Sequence, residues 1–149
     1  MKILMVCLGN ICRSPLAEGI LQSKVNSDFI QVDSAGTAAY HIGNLPDPRS
    51  IDVARKYGID LTHQRARQFS VDDFDAFDFI YAMDESNYQN ILALAKSEED
   101  VSKVKLILNE TNPDTDASVP DPYYGGDEGF ENVYYMLDEA CEIIAEKVK

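Results

Sequence analysis

Apolar and polar positions along this chain alternate between short solid apolar runs and helical spacings, the signature of parallel α/β architecture. Ile3-Leu4-Met5-Val6 is apolar throughout and predicts a buried strand. Ser14 followed by Pro15 pairs an N-cap residue with a first-turn proline, and Leu16, Ala17, Ile20 and Leu21 line one face of the helix they open. Phe29 to Asp33 predicts a second strand, and Ser34-Ala35-Gly36-Thr37 opens a long loop through Gly43, Pro46 and Pro48. A helix over about Arg49 to Tyr57 closes at Gly58. Phe79 to Met83 and Val104 to Leu108 predict strands three and four, with a helix between them carrying Tyr88, Ile91, Leu92 and Ala95. Asn109 to Gly129 is rich in Pro, Asp, Gly and Thr and predicts an ordered surface loop. A last helix then places Val133, Met136, Leu137, Ala140, Cys141 and Ile144 at helical spacing. The acids at Glu98-Glu99-Asp100 and from Asp72 to Asp78 predict solvated faces.

The expected fold is therefore three-layer α/β, a four-stranded parallel sheet with helices on both faces, and residues 1–149 are expected to form a single domain. In such sheets ligands bind beyond the C-terminal strand ends, where Cys7, Ser34, Asp84 and Asn109 are expected.

Charge narrows the partners. The formal net charge of −13 argues against nucleic acid and against acidic membrane surfaces, which clustered Lys and Arg would bind. An anionic substrate must then be attracted by a few oriented donors rather than by the whole surface. Three cysteines, an odd number without His–Cys clustering, disfavour a disulfide framework and a zinc site. The short N-terminal apolar run, followed by Asn10, Arg13 and Pro15, is expected to be a strand of a cytoplasmic protein rather than a signal peptide.

One segment carries chemistry. Cys7-Leu8-Gly9-Asn10-Ile11-Cys12-Arg13-Ser14 puts a thiol at the start of a strand-to-helix turn and a guanidinium near its end. Such a turn closes on a helix N-terminus, where free N–H groups and the dipole favour an anion. Gly9 and Asn10 tolerate left-handed backbone, so successive amides can curl into a nest. The same field stabilises a thiolate at Cys7, and the planar fork of Arg13 matches two phosphate oxygens at once. A nucleotide-binding loop is excluded, because the Gly-Lys-Ser/Thr ending is missing. Cleaving a phosphate ester also needs a proton donor for the departing oxygen. Asp121 is the candidate, held between Pro120 and Pro122, with Tyr123 and Tyr124 beside it to wall a pocket for an aromatic group.

Together these blocks resemble the low-molecular-weight protein tyrosine phosphatases. The likeness runs through Val6 to Pro15, Val32 to Thr37, Met83 to Asn87 and Asp121 to Gly125, and so spans nearly the whole chain. It implies that Cys7 attacks phosphorus, that Arg13 and the loop from Leu8 to Ser14 hold the phosphate, and that Asp121 serves as general acid and base. It further implies that Ser14 bonds the Cys7 sulfur and that Asn10 shapes the loop, buttressed by Ser34. His63 falls where the family has a buried histidine supporting Asn10, with Glu18 and Asp33 as partners. Tyr40 falls at an aromatic wall of the cleft, and Cys12 at a cysteine that traps the oxidised nucleophile as a disulfide. The implied partner is a phosphotyrosine protein, with no cofactor or metal, and the simplest assembly is a monomer.

Plainer readings stand beside these. Ser34 could be a turn residue, His63 a capping histidine, Tyr40 a surface tyrosine and Cys12 inert packing. An arsenate reductase of the same fold would need further cysteines between Cys12 and Cys141, where there are none. A cysteine phosphocarrier would not need both Arg13 and Asp121, and a dead phosphopeptide-binding module would not keep nucleophile, clamp and acid together.

Overall fold

In the computed structural model, which describes residues 1–124 and 126–149 (Tyr124 and Asp127 by their backbone alone), the apolar run at the N-terminus is the spine of the molecule. It forms β1 (Lys2–Cys7), buried from Ile3 onward because neighbours cover both of its faces. The side chains part with the period of two expected of a strand. Ile3, Met5 and Cys7 join one apolar cluster, and Leu4 and Val6 join another across the sheet.

β2 (Gln31–Gly36) and β3 (Phe79–Ala82) flank β1, and β4 (Val104–Leu106) pairs with β3. All pairings are parallel, as the sequence pattern predicts, and the strand order is β2-β1-β3-β4. The helices α1 (Arg13–Lys24), α2 (Pro48–Lys56) and α6 (Asp127–Lys147) pack together over one cluster. On the other side, α3 (Asp73–Ala76), α4 (Glu85–Leu92) and α5 (Glu98–Lys103) accompany the second cluster, which is centred on Phe69, Phe74 and Ile80. Among the described residues no helix is long and apolar enough to cross a membrane.

Several boundaries differ from the sequence reading. β2 begins at Gln31, because the amides of Phe29 and Ile30 both turn back to the Asn26 carbonyl and leave Phe29 exposed. Ser34, Ala35 and Gly36 are paired strand rather than loop. The fourth strand stops at Leu106 and tightens into a 3-10 turn over Ile107–Asn109. The acidic runs form the short helices α3 and α5, and Asp73 is buried against Arg67 rather than solvated. The last helix starts at Asp127, before the predicted end of the loop. α1 starts two residues early, with Cys12 rather than Ser14 at its cap, so the Ser14 hydroxyl is free for another use. Gly58 closes α2 as expected, at φ +82°.

Two features of β2 bear on the strand end beside it. A side chain on Gly36 would sit 2.7 Å from the Leu8 carbonyl and 3.1 Å from the Asn10 nitrogen, so only glycine lets the segment after β1 lie against this strand. Ser34 donates its hydroxyl to Oε1 of Glu18, a carboxyl buried between α1 and β2 (2.7 Å). Burial pushes Glu18 up to about 7; the Ser34 bond and Arg67 work against that rise, and Asp33 adds to it.

Glu18 holds its proton in the folded protein at pH values where the unfolded chain has lost it. Its contribution to stability is therefore full below about 4.5 and disappears as pH rises through about 7, a loss on the order of 3 kcal/mol. Urea unfolding across that window is expected to show the slope in the parent. Glu18→Gln is expected to flatten it, with the variant gaining on the parent towards pH 8; parallel curves for the two proteins would contradict the assignment.

Candidate active site

Between β1 and α1 the backbone must turn within five residues, Leu8 to Cys12, and one left-handed position makes this possible. Asn10 has φ +58°, and its side chain holds the shape from behind. Nδ2 donates to Ser14 Oγ (2.8 Å) and to Ser34 Oγ (3.0 Å), while Oδ1 accepts the Arg67 amide (3.0 Å). Every polar atom of this buried amide is thus engaged.

The loop carbonyls are drawn outward. Cys7 O accepts from the Thr37 amide (2.9 Å), Leu8 O from Ala38 (2.9 Å), Ile11 O from Asp47 (2.7 Å) and Cys12 O from the Ser50 hydroxyl (3.3 Å). With all peptides trans, each N–H points opposite to the carbonyl of its own unit, so the amides of Leu8, Gly9, Cys12 and Arg13 face the inside of the turn. The amides left over by these contacts make a concave anion seat at the first turn of α1.

Cys7 Sγ lies in that seat and accepts the Asn10 amide at 3.3 Å. Ser14 Oγ accepts from Asn10 and is 3.0 Å from the sulfur, the nearer of two acceptors in reach of its hydrogen, the other being the Ala35 carbonyl at 3.5 Å. An amide and a hydroxyl beside one sulfur suit it both as attacking and as departing atom.

Arg13 is buried, and its guanidinium is fixed by Nη1, which donates to Asp84 Oδ2 at 2.6 Å and to the Val119 carbonyl at 3.0 Å. Burial works against its charge, but Cys7, Asp84 and Asp121 outweigh burial and hold it firmly protonated. Asp84 also caps α4, its Oδ1 accepting the Asn87 amide at 2.8 Å. Sequence reasoning placed Asp84 at a strand end without a role. The available signal was an N-cap carboxylate with a second oxygen left to face the neighbouring strand end.

Asp121 stands on the other side, with Oδ2 3.9 Å from Arg13 Nη2 and Oδ1 accepting the Tyr123 amide at 3.0 Å. Cys7, Leu8, Gly9, Ile11, Cys12, Arg13, Tyr40, His41, Asp121 and Tyr123 line one cavity of about 220 Å³. Tyr40 and Tyr123 are exposed at its rim, so an aromatic group could sit between them. His41, which sequence reasoning did not single out, lies over Gly9, and a Cβ there would come within 3.0 Å of its ring. Asn10 and Ser14 are behind the loop rather than on the cavity wall. The Tyr124 side chain lies outside the described residues, as does Gly125.

His63 is not where it was expected. Asp60 Oδ1 accepts the amide and the hydroxyl of Thr62, and this turn sends the next side chain, His63, to solvent. Gln64 turns inward instead and donates to the Pro15 carbonyl (3.1 Å). The partners assigned to a histidine are taken by others: Asn10 by the Arg67 backbone, Asp33 by the Arg67 guanidinium and Glu18 by Ser34. Asn109 binds Asp116 and stays out of the site. Cys12 is buried beside Cys7; burial pushes its thiol up to about 12, reinforced by Asp47, Cys7 and Asp121, with Arg49 opposing.

Known proteins share this arrangement of chain. The family model described as low molecular weight phosphotyrosine protein phosphatase matches residues 2–149. The low molecular weight phosphotyrosine protein phosphatase of Schizosaccharomyces pombe is 45% identical over 91% of this chain and 89% of its own. A protein tyrosine phosphatase of Entamoeba histolytica, solved with Hepes in its active site, superposes with a TM-score of 0.90 at 38% identity, over 99% of this chain and 96% of that one. Vibrio vulnificus Wzb, solved with benzylphosphonate, gives 0.88 at 32% identity, over 98% and 97%. A family match that leaves only the first residue outside it, on a fold shared almost end to end, means that this chain belongs to the low molecular weight phosphotyrosine protein phosphatases, a family of hydrolases.

Proposed function

We propose that residues 1–149 act as one phosphatase domain that hydrolyses phosphotyrosine in proteins, and small aryl phosphates, through a phosphocysteine on Cys7. Cys7 Sγ attacks phosphorus in line while the inward amides and Arg13 take the equatorial oxygens. The bond from phosphorus to the phenolic oxygen breaks, and Asp121 gives its proton to that oxygen. A water then attacks the phosphocysteine, Asp121 takes back a proton, and the sulfur leaves as a thiolate with the Ser14 hydroxyl directed at it. Inorganic phosphate is released and the enzyme returns to its starting state.

The observation that carries this reading is the meeting of a sulfur, a guanidinium and a carboxylate, from opposite ends of the chain, around one small cavity rimmed by tyrosines. Benzylphosphonate, the ligand of the Vibrio relative, is an aryl-bearing phosphate mimic of the kind this cavity suits. Arsenate reduction is less well supported, because Cys141 is fully buried against Ala17 on α1 and cannot relay a disulfide outward. A phosphocarrier would leave Asp121 without a task. The free cysteines fit a reducing compartment, which favours work in the cytoplasm.

Cys12 is proposed to protect the nucleophile. Peroxide oxidises the Cys7 thiolate to a sulfenic acid; the Cys12 sulfur attacks it, an S–S bond forms, and the hydroxyl leaves as water with the Cys12 proton. A dithiol then restores both thiols.

Cys7→Ser is expected to abolish turnover of p-nitrophenyl phosphate. Asp121→Ala should slow phosphotyrosine hydrolysis by about 10²–10⁴. Acid quenching of the Asp121 variant during p-nitrophenyl phosphate turnover should yield a phosphorylated Cys7 peptide. Unchanged phosphotyrosine rates in that variant, or phosphate on another residue, would overturn the mechanism. For Cys12→Ser, the fraction of activity that dithiothreitol recovers after brief peroxide treatment is expected to drop well below the parent's. Equal recovery would remove the protective role.

A further inference from the structure

The acid loop carries Asp121 on an exposed stretch, yet the reaction requires its carboxyl at a fixed place opposite Cys7. Position matters steeply here, since a misplacement of about 1 Å can cost about 10²-fold in rate. One side chain that the mechanism does not use is built into this problem. Arg49, at the start of α2, sets its planar fork on Asp47, with Nε to Oδ1 and Nη2 to Oδ2, both at 3.1 Å. Nη2 also donates to the Tyr123 carbonyl at 3.0 Å. Tyr123 is the residue whose own amide holds Asp121 Oδ1. The flat face of the guanidinium lies over the ring of Phe130 on α6, 4.5 Å from its centroid, and 5.5 Å from that of Tyr123.

The same turn of α2 grips the other half of the site. The Asp47 amide donates to Ile11 O and the Ser50 hydroxyl to Cys12 O, so two carbonyls of the phosphate loop are held by residues flanking Arg49. Asp47 is buried, and its N-cap bond to the Arg49 amide (2.9 Å) fixes the carboxylate on which the fork rests. The first turn of α2 is thus a strut with the nucleophile's loop on one side and the acid's loop on the other. Lysine could not replace Arg49, since a single ammonium lacks the fork that binds both carboxylate oxygens while reaching a carbonyl.

We infer that Arg49 is a positioning residue for the general acid: braced on Asp47, it holds the Tyr123 backbone and so sets Asp121 at the leaving oxygen. The inference rests on the reading of Asp121 as the acid. It separates Arg49 from Arg13, which acts on phosphate, because Arg49 acts through Asp121, on the proton given to the oxygen departing from phosphorus and on the proton later taken from water.

Leaving-group dependence tests this. Phenyl phosphate needs the proton, whereas 2,4-dinitrophenyl phosphate releases a stable phenolate without it. Arg49→Ala is expected to lower kcat/KM, which reports the steps up to phenol release, by about 10- to 100-fold for phenyl phosphate, to change kcat/KM for dinitrophenyl phosphate little, and to keep the parent's affinity for vanadate. In an Asp121→Ala background the same substitution should cost nothing further on phenyl phosphate. Asp47→Asn keeps a cap oxygen but loses the charged brace; it should show the same pattern more weakly, and it carries the test if Arg49→Ala does not fold. Equal loss on both substrates, or loss of vanadate affinity, would overturn the inference and leave Arg49 a merely structural residue. Asp121→Ala measured alongside separates the two levels. If it discriminates between the substrates while the Arg49 and Asp47 variants do not, only the role of Arg49 falls. If it does not discriminate, the acid assignment itself falls.

Discussion

Asn10 is the residue on which the rest of this site depends. A strand ending at Cys7 can pass into a helix beginning at Arg13 with its amides turned inward only if one residue between them takes a left-handed backbone. Asparagine accepts that conformation more readily than most residues, and here its amide binds the two serines and the Arg67 backbone that fix it. The bond to Ser14 has a further consequence, because it holds that hydroxyl 3.0 Å from the sulfur. Backbone shape and the surroundings of the Cys7 sulfur are thus set by the same side chain.

A second constraint is electrostatic. A chain with a net charge of −13 has to attract a dianionic group locally. The means are a helix N-terminus, a ring of amides and one buried guanidinium whose charge is secured by Asp84. Asp84 also keeps Arg13 from spending both of its ends on protein partners: Nη1 is committed to Asp84 and Val119, and Nη2 remains on the side of Asp121 and the cavity. Cys12, beyond the seat in which Cys7 lies, is buried beside Asp47 and keeps its proton to about 12.

Much of this was legible from the sequence because it rests on local rules. The solid apolar run, the helical spacings and the Cys-to-Arg turn each follow from periodicity or backbone preference, and they predicted the parallel sheet and the loop at its edge. What was not legible depends on competition between distant groups. Nothing in the spacing of Asp73 said that Arg67 would draw it inward, and nothing near His63 said that a turn set by Asp60 would send it to solvent while Gln64 filled the interior. Likewise, the partnership of Arg13 with Asp84 joins the first and third strand ends, and that of Arg49 with Tyr123 joins α2 to a loop near the C-terminal helix. Such pairs appear only once the strand order is known.

The central claim is geometric: the inward amides of the loop and the Arg13 fork form a seat for a phosphate whose phosphorus faces Cys7. A crystal structure with orthovanadate tests it most directly. Vanadium is predicted at bonding distance from Cys7 Sγ, with its equatorial oxygens on the loop amides and Arg13 and its apical oxygen facing Asp121. Vanadate found elsewhere, or beside Cys7 without amide contacts, would contradict the account.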